Sequence, residues 1–211
     1  MAPTATQASE FDTHAAPFIE ASEPVYALIG AVIIGQDRDG SPAYYLTVGE
    51  GLARPFDLVL LPAMEFFEKP RTESQVRAWL TLLGETTALL DQLLANQLLV
   101  KIDTTTPLSA LESLSGLTVI AQSLPDASQT QIDGTVWALP FGGGPAYIVG
   151  AELASALWWP DRTAELSTMV SSIATAQGDG LDIAARRVLT EIPALLEFGL
   201  ARLEWLNGPR G

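Results

Sequence analysis

Side chains that commonly serve nucleophilic or metal catalysis are scarce in this chain. Its 211 residues include no cysteine and a single histidine, His14. Thiolate nucleophiles and cysteine metal sites are therefore excluded, and a Ser-His-Asp triad or a multi-histidine metal centre would depend on His14 alone. Because His14 lies in a polar N-terminal stretch, we expect a protein that is not an enzyme and that uses no metal or cofactor.

Two pairs of carboxylates are close enough in sequence to act together. Glu65 and Glu68 are three residues apart in a helical stretch, and Asp37 and Asp39 flank a turn. Such pairs can bind a hard cation or transfer protons. Arg38 opposes a cation, and the oxygen ligands lack the regular spacing of an EF-hand loop. We therefore interpret both pairs as solvated surface charge, and we keep an enzyme acting through carboxylates as a third hypothesis.

A glycine run is the other pattern with a chemical interpretation, since glycine-rich loops can cradle phosphates. Gly142-Gly143-Gly144-Pro145 is not followed by a Lys-Ser or Lys-Thr pair, and the residues after it have the pattern of a strand. A phosphate loop would instead lead to a helix N-terminus. The run therefore predicts a hairpin turn.

The charge balance argues against several classes of partner. Lys and Arg total 11 against 25 Asp and Glu, so the formal net charge is −14. Nucleic-acid binders and proteins of anionic membrane surfaces need basic faces, which this composition argues against. No stretch reaches the roughly 18 uninterrupted apolar residues of a membrane span, and residues 1–24 lack the features of a secretory signal. We expect a cytoplasmic protein with no membrane partner, in which residues 1–24 form a flexible N-terminal arm.

The hydrophobic pattern of residues 25–103 predicts three strands followed by three helices. Apolar residues that suit strands give way to helical spacing after Pro62, and Thr72 with Gln75 forms a capping-box pattern. Gly84 is placed to end the helix that begins there. The predicted strands are Val25–Ile34, Ala43–Val48 and Phe56–Leu61, and the helices lie near 63–67, 73–84 and 87–97.

The same order recurs over residues 117–206, after a linker at 104–116. The apolar stripe Val76, Trp79, Leu80, Leu83 has a counterpart in Leu166, Met169, Val170, Ile173, and the stripe Leu90, Leu93, Leu94, Leu98 in Ile192, Leu195, Leu196, Leu200. The halves align without a gap from Tyr45 to Thr72, although few residues are identical. The pattern favours an α+β fold of two tandem winged-helix-like β-β-β-α-α-α modules; two unrelated halves of similar class are the alternative.

These residues resemble a known family. The segment Tyr45-Leu46-Thr47-Val48, the run from Phe56 to Leu60, the helix Ala63–Phe67 and the Arg71-Thr72 pair resemble the PqqD-like fold, also called the RiPP precursor peptide recognition element. A similar order extends from Trp137 to Ile173. The resemblance implies that a leader peptide adds as an antiparallel strand beside the third strand, with its side chains in a cleft against the third helix.

The resemblance implies specific binding residues in both modules. The edges would be Phe56–Leu60 and Tyr147–Val149, and the facing helices Leu89–Leu98 and Ile183–Phe198. Arg186 and Arg187, an adjacent basic pair, can receive acidic side chains of a partner or simply solvate their helix. The expected peptide-binding residues are Phe56, Leu58, Leu60, Leu90, Leu94, Tyr147, Ile148, Val149, Arg186 and Arg187. The expected partners are a precursor peptide and modification enzymes of peptide natural-product biosynthesis.

Other functions and assemblies stay open at this point. A winged-helix transcription regulator or an acidic antirepressor is the alternative function, although the helix Leu89–Leu98 offers no basic residue for DNA. Trp158 and Trp159 are consecutive, so one helix face cannot bury both. One of them is a candidate for contact between the two modules or between subunits, and a homodimer is therefore an open possibility.

Overall fold

The structure is a computed structural model that describes residues 15–36, 42–49, 52–55, 58–85, 87–125, 135–140, 147–158 and 164–206. Both halves of these ranges combine helices with small antiparallel sheets, which confirms the α+β class. The first half consists of β1 (Val25–Leu28), β2 (Val32–Gln36), β3 (Pro42–Gly49), β4 (Leu52–Pro55), a 3₁₀ turn (Leu58–Leu60), α1 (Leu61–Phe66), β5 (Arg71–Thr72), α2 (Glu73–Leu83), α3 (Ala88–Ala95) and β6 (Leu99–Ile102).

A short connecting helix leads to the second half. The connection is α4 (Pro107–Ser113), and the second half consists of β7 (Leu117–Ala121), β8 (Ser123–Pro125), β9 (Thr135–Pro140), β10 (Tyr147–Gly150), α5 (Ala151–Trp158), α6 (Leu166–Gln177), α7 (Leu181–Glu197) and β11 (Ala201–Trp205). None of the helices in the described ranges combines the length and apolar composition that crossing a bilayer requires.

Strand pairing follows one scheme in both halves. An antiparallel meander is formed by β2, β3 and β4 in the first half and by β8, β9 and β10 in the second. The opening strand of each half pairs antiparallel with the strand after its last helix, β1 with β6 and β7 with β11. The short β5 pairs with the other side of β1. Apart from β5, which has no counterpart among the described residues of the second half, the two halves share an order of elements and a pattern of pairing.

The strand β1 contributes to two hydrophobic cores. Val25 and Ala27 belong to a core built mainly by α4 and the second half, whereas Tyr26 and Leu28 belong to a core built by α1, α2 and α3. All four residues of β1 are buried. Because side chains alternate between the two faces of a strand, covering both faces requires a continuous apolar run and not an alternating one.

The predicted strand Val25–Ile34 is interrupted, and Gly30 is the reason. Gly30 has a φ of +92°, and a Cβ at this position would lie 1.8 Å from the carbonyl oxygen of Thr47. Glycine is therefore required for the bend between β1 and β2. The Gly30 N–H donates to the carbonyl oxygen of Leu203 at 2.6 Å, which joins the bend to β11.

The predicted third strand Phe56–Leu61 is wrong in its described part. Residues Leu58–Leu60 form a 3₁₀ turn, and Leu61 begins α1. The strand that follows β3 is β4 (Leu52–Pro55), which ends before this segment. Phe56 lies outside the described residues. A short apolar run has no periodicity that separates strand from helix, and Pro62 in the first turn of α1 favours the helical start.

Part of the predicted flexible arm is packed, so that prediction is wrong for residues 15–24. Phe18 is fully buried, and Ala16 and Ile19 are 4% and 5% exposed in the core of the second half. The Ala16 N–H donates to the carbonyl oxygen of Pro70 at 2.9 Å. The described part of the arm therefore connects the two halves.

Candidate functional site

The last strand of each meander lies at the edge of its sheet. Among the described residues, β4 pairs only with β3, and β10 pairs only with β9. An edge strand presents N–H and C=O groups that another extended segment can bind. These two edges are therefore the places where the fold can accept an added strand.

The outer edge of β10 faces α7. The Gly150 N–H donates to Oε2 of Glu191, a residue of α7, at 2.9 Å. In an antiparallel ladder, successive residues direct their N–H and C=O groups alternately towards the partner strand and away from it. Since Gly150 directs its N–H to Glu191 and not to β9, Ile148 directs its N–H and C=O to the same outer side. The Ile148 side chain is 50% exposed.

The edge of β4 carries features that discourage strand addition. Pro55, its last residue, has no N–H to donate, and the pairing with β3 is irregular between Thr47 and Gly49. Proline, bulges and charged residues are typical of protected edges. The β10 edge, with the sequence Tyr-Ile-Val-Gly, has none of these features.

Several of the expected binding residues form the cores and not the cleft. Val149 is fully buried in the core of the second half, and Leu90 is 9% exposed in the core of the first. Leu60 and Leu94 are half-buried against that first core. The apolar stripe that contains Leu90 and Leu94 identified these two residues as inward-facing, but it could not show whether they face a core or a cleft.

The remaining expected residues have different positions. Leu58 lies in the 3₁₀ turn, where it cannot offer a strand edge. Tyr147 is the first residue of β10, and its side chain lies outside the described residues. Ile148 is the one expected residue whose described backbone and side chain are both placed to meet an added strand.

Both arginines of the basic pair bind carboxylates of this chain. Arg186 forms an ion pair with Glu20 of the N-terminal arm. Arg187 Nη2 lies 2.9 Å from Oδ2 of Asp179, and its Nη1 donates to Gln177 at 3.1 Å. Arg186 therefore contacts the arm and Arg187 the turn before α7, and the expectation that they receive acidic groups of a partner stays a prediction.

Sequence reasoning missed Glu191 and also a cleft between the two halves. The cleft has a volume of about 290 Å³ and includes Glu68, Lys69, Glu197 and Arg202 in its lining. Lys69 Nζ lies 3.5 Å from Oε1 of Glu197. Burial raises the pKa of the Glu68 carboxyl, and the neighbouring Glu65 carboxylate raises it further. Both features join residues that are distant in sequence, so no local pattern indicates them.

Within the described ranges, the carboxylates and other metal-binding side chains form no group that could hold a metal ion. Comparisons of the chain with protein-family models, curated proteins and solved structures yield no match. The function therefore has to be argued from the geometry of the β10 edge and of the helices around it.

Proposed function

We propose that this protein is a non-catalytic, cytoplasmic peptide-binding protein of two tandem winged-helix-like, PqqD-like modules. It recognises a precursor (leader) peptide by strand addition and presents it to the modification enzymes of peptide natural-product biosynthesis. The observation that carries the proposal is the outer edge of β10, where Ile148 directs its backbone groups towards the side on which α7 contributes Glu191.

The arrangement of elements in the first half supports the winged-helix assignment. A winged helix consists of three helices and a small sheet, with one strand between the first two helices and another after the third. Here α1, β5, α2, α3 and β6 follow in that order, and β1 completes the sheet between β5 and β6. The second half repeats the helices and the pairing of its opening and closing strands.

Strand addition at β10 has a simple energetic basis. The Ile148 N–H and C=O can each form a hydrogen bond with a guest strand, and each such bond contributes about 0.5–1.5 kcal/mol net. Further affinity has to come from apolar side chains of the guest, which alternate along its length. The exposed Ile148 side chain offers one apolar contact on this edge. Backbone pairing thus supplies general affinity, and side chains supply register.

A proline at Ile148 tests the proposal. Because the Ile148 N–H faces away from β9, Ile148→Pro removes no ladder hydrogen bond and is compatible with an edge strand. The probe is a fluorescein-labelled 12-residue peptide of alternating valine and threonine with Gly-Ser ends, followed by fluorescence anisotropy. We expect Ile148→Pro to weaken binding by at least about fivefold, since one hydrogen bond is worth about 1 kcal/mol.

The matched control is Ile148→Val, which retains the N–H and a β-branched side chain. It should bind the peptide as the native protein does. Equal affinity of the native protein, Ile148→Pro and Ile148→Val would show that this edge is not where the peptide binds. Absence of binding to all three would refute strand addition altogether.

The alternative function, a winged-helix transcription regulator or an acidic antirepressor, finds less support. The basic residues available on α7 for DNA, Arg186 and Arg187, already bind Glu20 and Asp179. A gel shift at low salt tests the transcription regulator, because a DNA-binding winged helix retards DNA under those conditions, whereas an acidic antirepressor would bind a DNA-binding protein in place of DNA.

A further inference from the structure

The cleft between the two halves has the size of a small-molecule site. Its walls come from the bend between β1 and β2, the loop from α1 to β5, the residue after β7, and the turn from α7 into β11. Its volume of about 290 Å³ equals that of about ten water molecules at roughly 30 Å³ each. Binding sites are common where two packed units meet. The cleft can therefore hold a small organic molecule.

Much of the cleft lining is apolar. Leu28, Phe67 and Ala201 are buried, and Val32 and Leu196 are partly buried. Removal of a hydrocarbon group from water is favourable when it packs against such side chains. An aliphatic part of a ligand is thus stabilised in this cleft, and polar groups have to fix its orientation.

Two long polar side chains of the lining lie on one face of the β7–β11 ladder. Arg202 is directly opposite Ile120. The Gln122 N–H donates to the carbonyl oxygen of Leu200 at 2.7 Å, which extends the ladder by one residue. Gln122 is two residues beyond Ile120, so it is a diagonal neighbour of Arg202 on the same face. Such neighbours are about 7–8 Å apart, and these two side chains are long enough to contact one ligand group.

Both side chains have hydrogen-bond donors to offer. Arg202 Nε donates to Glu204, but its two Nη groups have no acceptor among the residues that the structure describes. The Gln122 carboxamide also makes no hydrogen bond within that part of the chain. The Arg202 side chain is only 22% exposed. Because buried N–H groups are normally hydrogen-bonded, this arrangement favours an acceptor on the ligand.

The donor set and its surroundings favour a carboxylate over a phosphate. The planar guanidinium can donate to both oxygens of a carboxylate, and the carboxamide NH₂ adds a further donor. Glu68 and Glu197 also line the cleft. A doubly charged phosphate would meet more repulsion from these side chains than a singly charged carboxylate.

We propose that the cleft binds a small aliphatic monocarboxylic acid. The carboxylate accepts hydrogen bonds from Arg202 and Gln122, and the hydrocarbon part packs against Leu28 and Phe67. The β10 edge contributes no residue to this cleft, so the inference does not depend on strand addition.

Three probes of similar shape test the inference by isothermal titration calorimetry. They are isocaproate, its neutral amide isocaproamide, and the amine isohexylamine. We expect isocaproate to bind about tenfold more tightly than the amide, which is typical of hydrogen bonds to a charged group. Isohexylamine should bind more weakly than isocaproate, because the Arg202 guanidinium repels a cation.

Substitutions at Gln122 and Arg202 locate the carboxylate. Gln122→Glu places a negative charge beside Arg202 and should abolish the preference for isocaproate over the amide. Gln92→Glu, at an exposed site on α3, changes the net charge equally and should retain the preference. Arg202→Lys retains the positive charge opposite Glu204 but loses the planar fork, so it should reduce the preference. Gln122→Glu decides the question even if Arg202→Lys does not fold.

Several results would overturn the inference. Absence of isocaproate binding, or equal affinity for isocaproate and the amide, would show that the cleft does not recognise a carboxylate. Tighter binding of the amine would show that the acidic side chains dominate. A preference that persists in Gln122→Glu, or that is lost equally in Gln92→Glu, would place its cause outside the cleft. The peptide measurements on Ile148→Pro are independent of all these results.

Discussion

Replacement of Gly30 by alanine tests the bend that separates β1 from β2. Two costs apply at this position: a positive φ, which costs an L-residue about 1–2 kcal/mol, and a Cβ that would lie 1.8 Å from the Thr47 carbonyl oxygen. Relief of that overlap requires the bend and β3 to move apart by more than 1 Å. Such a shift breaks the hydrogen bonds that hold the bend.

The hydrogen bonds at risk give the magnitude. The Ala31 N–H donates to Thr47 Oγ1 at 2.7 Å, the Thr47 N–H donates to the Ala31 carbonyl oxygen at 3.0 Å, and the Gly30 N–H donates to Leu203 at 2.6 Å. Loss of two or three bonds at about 1 kcal/mol each, added to the backbone strain, lowers the free energy of unfolding by about 3–5 kcal/mol.

Gly84→Ala is the matched control for this experiment. Gly84 also has a positive φ, +68°, but a Cβ there would meet no atom within 4 Å. It should therefore cost only the strain, about 1–2 kcal/mol. Urea denaturation followed by tryptophan fluorescence gives both free energies of unfolding. Equal destabilisation by the two variants would refute the argument that the Thr47 contact makes Gly30 indispensable.

Two further predictions concern the arm and the cleft. Phe18→Ala removes a fully buried ring and should lower the free energy of unfolding by about 3–5 kcal/mol. The control Phe198→Ala removes a side chain that is 42% exposed and should lower it much less. Similar losses for the two variants in urea denaturation would contradict the docking of the arm. The pKa of Glu68 lies above its ordinary value of 4.5, so its contribution favours folding at low pH and is lost as pH rises through the raised pKa. Glu68→Gln should therefore raise stability at pH 7 and flatten the pH dependence of the melting temperature between pH 4.5 and the raised pKa; an unchanged pH profile would contradict this reasoning.

Local patterns in the chain were sufficient to predict several elements. Thr72 and Gln75 form the capping box expected at the start of α2, and Gly84 ends that helix in the left-handed conformation. The apolar stripe of α6 is the buried face of that helix, whereas in α2 Val76, Trp79 and Leu80 are buried and Leu83 is 41% exposed. These features depend on residues within one or two helical turns of each other, so the sequence contains the whole of their physical cause.

Longer-range contacts decided what the patterns could not. Val149 and Ile148 are neighbours in one apolar run, yet one is fully buried and the other half exposed, because only one face of β10 is covered. Arg186 is paired with Glu20, which is 166 residues away, and Glu191 meets Gly150 across 41 residues. Composition and periodicity specify which residues can be buried or paired. Which of those residues are in fact buried or paired depends on the relative placement of the helices and strands, and that placement is set by the packing of the whole chain.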